Sequence, residues 1–279
     1  MRTQRQSHIM KRYFKFQILA LSAMMMSFAS CSDEPDEPTQ DSPEEPKVEN
    51  VFPAGVPASV NGTTITTNDK GQVTKIVNSY ETIRIEYGTF SRAEDFNVKA
   101  TIVDDYDTEI FYMQTNSQGF AAYVLQVYSD PTAGEYEDGT DTWKFEYNKD
   151  GQMTRLQRSE SGDDFTITYT DGNITKVVQI DGDNDRHEFT INYTGGKPNK
   201  GCVMEFDDFF GIDMDEMGIF YYAGLLGKAT KNLPTGIDEK GSDGYNYSET
   251  FHWEFNSNDL PTKFWSGDSI DGAITWEWK

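Results

Sequence analysis

Four times along this chain, three large apolar side chains stand two residues apart just before a turn. The rows are Trp143, Phe145, Tyr147; Phe165, Ile167, Tyr169; Phe189, Ile191, Tyr193; and Phe251, Trp253, Phe255. A period of two is that of a β-strand, so each row lies on one face of a sheet. The residues between them, Lys144, Glu146, Thr166, Thr168, Glu188, Thr190, His252 and Glu254, lie on the other face. Such a sheet must bury its aromatic face and can leave its polar face in water.

The rows belong to a weak internal repeat. Asp150-Gly151-Gln-Met153-Thr154-Arg155-Leu156 follows the first row, and Asp171-Gly172-Asn-Ile174-Thr175-Lys176-Val177 follows the second. Gly71-Gln-Val73-Thr74-Lys75-Ile76 repeats the second half upstream, and Asn258-Asp-Leu260-Pro-Thr262-Lys263-Phe264 repeats it downstream with the glycine lost. One unit is strand, turn, strand, and Asp-Gly supplies the positive φ of a tight hairpin turn. The fold expected is mainly all-β: a curved, barrel-like antiparallel meander of hairpin repeats. Either the sheet curls on itself or another element covers its aromatic face. Residues 213–227 are the candidate cover, with Met214, Met217, Ile219, Phe220, Tyr221, Leu225 and Leu226 at helical spacing. Asp213, Asp215 and Glu216 suit the first turn of a helix, and Gly227 and Pro234 mark its end. One inserted helix, acting as a lid, is expected there.

These hairpins, together with Tyr222-Ala-Gly-Leu-Leu-Gly-Lys-Ala-Thr-Lys-Asn-Leu-Pro234, resemble a family of Bacteroides-type lipoproteins of unknown function with a porin-like β fold. The resemblance covers roughly residues 55–279 and implies the same antiparallel barrel-like meander, with no activity attached. The Asp-Gly units also faintly resemble the tyrosine-aspartate repeats of large bacterial shell proteins. A membrane pore is not expected. The second strand of each unit carries Lys75, Arg155, Lys176 or Lys263 mid-strand and the other face is polar, whereas a spanning strand needs an uninterrupted apolar outer face.

The first thirty residues read as a targeting segment. Arg2, Arg5, Lys11, Arg12 and Lys15 precede an apolar run from Phe16 to Phe28, too short for the ~20 residues of a spanning helix. Phe28-Ala29-Ser30-Cys31 then resembles a bacterial lipobox, with Cys31 the residue that is acylated. Met10 is as good a start as Met1. Ser32 to Lys47 is acidic and proline-rich, a disordered tether within residues 31–50 leading to one β domain at 51–279. An acidic run after the acylated cysteine resembles the surface-export signal of Bacteroides-type lipoproteins. Attachment to the outer membrane, facing the exterior, is expected, with a periplasm-facing orientation as the alternative.

Removing residues 1–30 takes five of 24 basic and none of 47 acidic residues, leaving a formal charge of −28. That charge argues against nucleic acid and anionic membrane surfaces as partners. Cys202 is the only other cysteine, so no internal disulfide is available.

Catalytic signals are sparse. Past residue 30 only His187 and His252 remain, on opposite faces by alternation, and no Gly-x-Ser-x-Gly elbow exists. Asp181, Asp183 and Asp185 resemble the start of a calcium loop, but Arg186 replaces its glycine and Asn192 its closing acid. A hairpin turn explains them more simply, as helix capping does Asp213, Asp215 and Glu216 beside Asp207 and Asp208. No cofactor is expected, weak calcium binding aside. Trp265, Trp276 and Trp278 are candidates to stack on a ligand, against the simpler reading that β cores use aromatics freely. The function expected is a non-enzymatic surface lipoprotein that binds a glycan, a peptide or an outer-membrane partner. A surface hydrolase using acidic residues and a structural envelope component are the alternatives.

Overall fold

The computed structural model describes residues 51–91, 95–103, 108–129, 139–242 and 244–279. Sixteen strands follow one another: β1 (Ser59–Val60), β2 (Thr63–Thr67), β3 (Val73–Val77), β4 (Thr82–Ser91), β5 (Asp95–Val103), β6 (Thr108–Thr115), β7 (Ala121–Ser129) and β8 (Gly139–Tyr147). Then come β9 (Met153–Arg158), β10 (Asp164–Thr170), β11 (Asn173–Ile180), β12 (Arg186–Asn192), β13 (Gly236–Gly241), β14 (Asn246–Phe255), β15 (Pro261–Ser266) and β16 (Ile274–Glu277). Each pairs antiparallel with its sequence neighbours, and β1 pairs with β16 at Ser59–Glu277 and Val60–Trp276. The meander is therefore a closed barrel, and closure removes its sheet edges.

The upper end of the barrel carries the repeat turns, whose chemistry is richer than Asp-Gly alone. In four of them an asparagine side-chain oxygen accepts two backbone N–H groups, two and four residues on. Asn68 takes Lys70 and Gln72, Asn116 takes Gln118 and Phe120, Asn148 takes Asp150 and Gln152, and Asn256 takes Asn258 and Leu260, all at 2.9–3.1 Å. The residue three after each asparagine has positive φ: Gly71 at 80°, Gly119 at 87°, Gly151 at 81° and Asp259 at 58°. Aspartate tolerates that region better than most residues, which is how the last copy survives without glycine. Asp171-Gly172 forms the two-residue turn expected, with φ of 52° and 82°.

The aromatic rows face inward. Trp143, Phe145, Phe165, Ile167, Phe189, Ile191 and Phe251 are buried, while Lys144, Glu146, Thr166, Thr168, Thr190 and Glu254 are exposed. Ion pairs cross the outer wall from strand to strand: Lys99–Glu86 at 3.1 Å, Arg155–Asp164 at 2.6 Å, Lys176–Glu188 at 2.8 Å and Lys263–Glu254 at 3.5 Å. Arg or Lys on a lipid-facing strand costs ~2–4 kcal/mol each at mid-bilayer, so this wall is built for water.

The interior differs from the expected lid. No α-helix spans 213–227; helix α1 is Phe206–Phe210, and Asp215–Tyr221 forms a 3-10 turn. Positive φ at Asp215 (45°), Gly224 (77°) and Gly227 (86°) breaks the run that helical spacing suggested. Nor does the segment cover an open sheet: residues 193–235, between β12 and β13, fill the bore. They enter at the upper end and reach the lower end, where Asp215 meets Arg158 of β9 at 2.7 Å. They return to the upper turns, where Lys228 and Lys231 donate N–H to the carbonyls of Gly151 and Gly172 at 2.8 and 2.9 Å. Phe220 packs edge-on against Phe111 of β6 at 5.2 Å between ring centres, and Phe209 against Phe264 of β15 at 4.7 Å. Val203, Phe209, Phe210, Met217, Phe220, Tyr221 and Leu225 have no exposed surface. Sixteen-stranded porins enclose a water channel; here the channel is occupied by the chain itself. Gly227 shows how tight the fit is, since a Cβ there would stand 2.7 Å from the Gly151 carbonyl oxygen and 2.9 Å from the Tyr147 ring.

Candidate functional site

Among the described residues, a cleft opens at each mouth of the filled bore. The upper cleft, about 400 Å³, lies between Val51–Val56, the β2–β3 turn around Lys70, and Tyr222–Gly224 of the plug. The lower cleft, about 250 Å³, lies between the β1–β2 turn and the plug. Its rim carries Asn61, Asp207, Asp208 and Asp215, its walls include Val60, Phe206, Met214 and Ile219, and Glu205 lines it beside Tyr222.

Glu205 is the chemically distinctive residue. It precedes α1 in extended conformation, yet its side chain does not cap that helix. It turns instead to the Tyr222 hydroxyl, which donates to Oε1 at 2.5 Å and itself accepts the Trp276 indole N–H at 2.8 Å. Burial pushes the carboxyl up to about 8, the bond from Tyr222 opposes that shift, and the neighbouring Asp208 adds to it. At neutral pH Glu205 is therefore mostly a protonated acid. Its other oxygen has no hydrogen bond among the described residues. Tyr169 Oη is the only fully sealed side-chain polar atom without a partner among those residues, so the second Glu205 oxygen keeps solvent contact through the cleft.

Beside the cleft, Arg158 ties plug to wall. Its guanidinium reaches Asp141 at 2.6 Å, Glu160 at 2.6 Å and Asp215 at 2.7 Å, and stacks over Trp143 at 4.5 Å. Asp141 is wholly buried and also accepts from the Ser159 hydroxyl and the Thr142 and Glu160 N–H groups. A polar group so buried needs partners of this kind to offset the water it has lost.

The residues singled out from sequence are dispersed. Asp181 caps its own turn by accepting the N–H groups of Asp183 and Asp185, both at 2.9 Å. No group of three or more His, Cys, Asp or Glu among the described residues is placed to hold a metal ion, which covers both acidic runs weighed as cation sites. Trp276 is buried, donating to Tyr222 and stacking on Trp253 at 6.0 Å. Trp278 donates to the Pro261 carbonyl at 2.7 Å and packs over Gly201. Trp265 lies on the outer wall, stacked on His252 at 5.2 Å. The three therefore do not form one stacking platform. His187 pairs with Glu239 at 2.9 Å, away from His252, as alternation predicts. Cys202 is free and half-buried, its thiol pushed up by burial. Cys31 and the tether at 31–50 lie outside the described residues.

Glu205, Asp141 and Arg158 were not legible as site residues. The one signal for Glu205 is an acid between Met204 and Phe206 in an otherwise apolar stretch, which marks enclosure but not a partner.

Residues 63–263 match the family described as a domain of unknown function (DUF4595) with porin-like fold. The chain belongs to that family. Among solved structures, a porin-like protein from Bacteroides uniformis is 15% identical with a TM-score of 0.52, covering 78% of this chain and 90% of that one. A porin-like protein from Bacteroides vulgatus is 13% identical with a TM-score of 0.49, covering 77% and 92%. At such identity the first likeness speaks for fold alone. The porin-like family expected from the hairpins is thus the one found, whereas the tyrosine-aspartate likeness gains no support from these matches. The comparison with curated proteins gives no match.

Proposed function

We propose that this member of the porin-like family is a non-enzymatic surface lipoprotein, anchored at Cys31, that binds its partner with the lower end of the barrel. The observation that carries this reading is the filled bore. Among the described residues, Phe209, Phe220 and Leu225 plug the barrel and ion pairs line its wall, which leaves its ends as the surfaces suited to a partner. The two ends differ. Among the described residues the exposed large hydrophobic side chains, Tyr80, Tyr245, Tyr247 and Ile270, all stand in or beside turns at the lower end. The acidic cleft opens there too. Val51, where a tether from Cys31 would arrive, lines the cleft of the upper end. Exposed tyrosines beside carboxylates suit a polar partner, a glycan or a basic peptide segment.

The test is affinity capture from glycan arrays and envelope extract, comparing wild type with a Tyr80→Ser, Tyr245→Ser, Tyr247→Ser triple variant. Capture lost in the variant supports the reading. Capture that is unchanged, or that follows the upper cleft, contradicts it. The hydrolase alternative draws on one observation, a protonated acid in a cleft. It predicts turnover of a glycoside that Glu205→Gln abolishes.

A further inference from the structure

We propose that the lower cleft is a binding site for an alkylammonium group, such as a lysine side chain presented by a partner, with Glu205 as its counter-ion. The proposal deepens the binding reading above and rests on it.

Size, walls and floor agree on this guest. About 250 Å³ is below the ~300–1,000 Å³ of sites for drug-sized ligands, which leaves room for a side chain or a small amine. Val60, Phe206, Met214 and Ile219 suit methylene groups. Asp207 and Asp208 on the rim disfavour an anion and draw a cation, while Asp215 is paired with Arg158. A divalent metal is a poor fit, because no three ligating side chains among the described residues converge. A guanidinium wants both oxygens of a carboxylate in one plane. Glu205 has one oxygen held by Tyr222 and one left for the cleft, which matches the point charge of an ammonium. The Trp276–Tyr222–Glu205 hydrogen bonds fix that second oxygen in place.

The proton balance follows from the same geometry. Burial keeps the Glu205 carboxyl protonated up to about 8 in the empty cleft. An arriving ammonium stabilises the carboxylate, so below that pH binding releases the Glu205 proton to solvent. The groups facing Glu205 are Asp207 and Asp208 of α1, Asp215 of the 3-10 turn with its partner Arg158 of β9, and Tyr221 and Tyr222 of the plug. Both tyrosines are pushed well above their usual range by burial, so they stay neutral through the window.

The experiment is calorimetric titration of the full chain with n-butylammonium and with Nα-acetyl-lysine methylamide, from pH 6 to 9, in buffers of different ionisation enthalpy. Nα-acetyl-norleucine methylamide and the matching arginine derivative serve as controls. Expected are tighter binding of both amines as pH rises, about tenfold per pH unit below 8 and level above it. About one proton should be released at pH 6.5 and none at pH 9, and both controls should bind at least tenfold more weakly than the lysine derivative. If butylammonium binds as tightly as the lysine derivative, the source is a free amine; if only the lysine derivative binds, it is a peptide. Glu205→Gln should lose the pH dependence and at least tenfold in affinity at pH 8.5. Tyr222→Phe keeps the ring and removes a bond to the carboxylate, so its pH midpoint should move upward. Circular dichroism confirms that each variant is folded. Binding of neither amine, or a flat pH profile in wild type, overturns the proposal, as does unchanged affinity in Glu205→Gln. If envelope capture still depends on the lower-end tyrosines in that case, the binding reading stands and only the ammonium site fails.

Discussion

Replacing Phe209 by alanine probes the plug where it grips the wall hardest. Its ring is fully buried and meets Phe264 at 4.7 Å, Trp253 at 5.1 Å and Phe210 at 5.8 Å, each edge-on. Burying a phenylalanine is worth ~1.5–3 kcal/mol by transfer alone. The cavity left behind raises a Phe→Ala change to about 3–5 kcal/mol, because rings held from three sides cannot all collapse into the gap. Each aromatic pair adds ~0.5–1.5 kcal/mol beyond area, which points to the upper part of that range. Urea melts followed by tryptophan fluorescence and circular dichroism measure the loss, with Thr168→Ala on the exposed wall as the control, expected within about 0.5 kcal/mol. The slope with urea should stay constant, since the surface exposed on unfolding barely changes. A loss below about 1 kcal/mol for Phe209→Ala would refute the filled bore.

Arg158→Ala should cost about 3–5 kcal/mol in the same melts, because it strands the wholly buried Asp141, whereas Asp215→Asn at the exposed side should cost under about 1 kcal/mol. Glu205 gives a pH signature. Its folded value, near 8, lies above the ordinary glutamate range, so the folded state holds its proton more tightly than the unfolded chain. The stability it contributes is full below about 4.5, falls as pH rises, and is lost above about 8. Glu205→Gln should flatten that part of the stability curve, a difference of at most about 5 kcal/mol between its ends; parallel curves for the two proteins would contradict the enclosure of the carboxyl. Labelled palmitate should enter wild type in vivo and not Cys31→Ala, and equal labelling of both would sink the anchor.

How much of this was legible in the sequence follows from what alternation can and cannot encode. Period two fixes the face of Trp143, Phe145 and Lys144 because strand geometry leaves no choice, so the inner and outer walls were readable residue by residue. The repeat located the upper turns, although the asparagine at the start of each turn, not only the glycine, holds them closed. A barrel-like curl was expected, but the pairing that closes it was not readable, since β1 is two residues long and meets β16 across the whole chain. The helix expected at 213–227 is reduced to the 3-10 turn Asp215–Tyr221 for a physical reason: a segment buried on every side is apolar on every side. Helical spacing is then no longer evidence of one buried face, and Asp215, Gly224 and Gly227 supply the breaks. The lower cleft escaped notice because Glu205, Tyr222 and Trp276 are brought together only by the plug folding back inside the barrel.

The plug touches opposite sides of a closed wall. Nuclear Overhauser contacts between selectively labelled phenylalanine rings measure this directly. A filled barrel predicts contacts from Phe220 to Phe111 on β6 and from Phe209 to Phe264 on β15, with centres 5.2 and 4.7 Å apart. Contacts on one side only would mean a lid over an open sheet, and contacts on neither would mean an empty bore; each result contradicts the filled barrel.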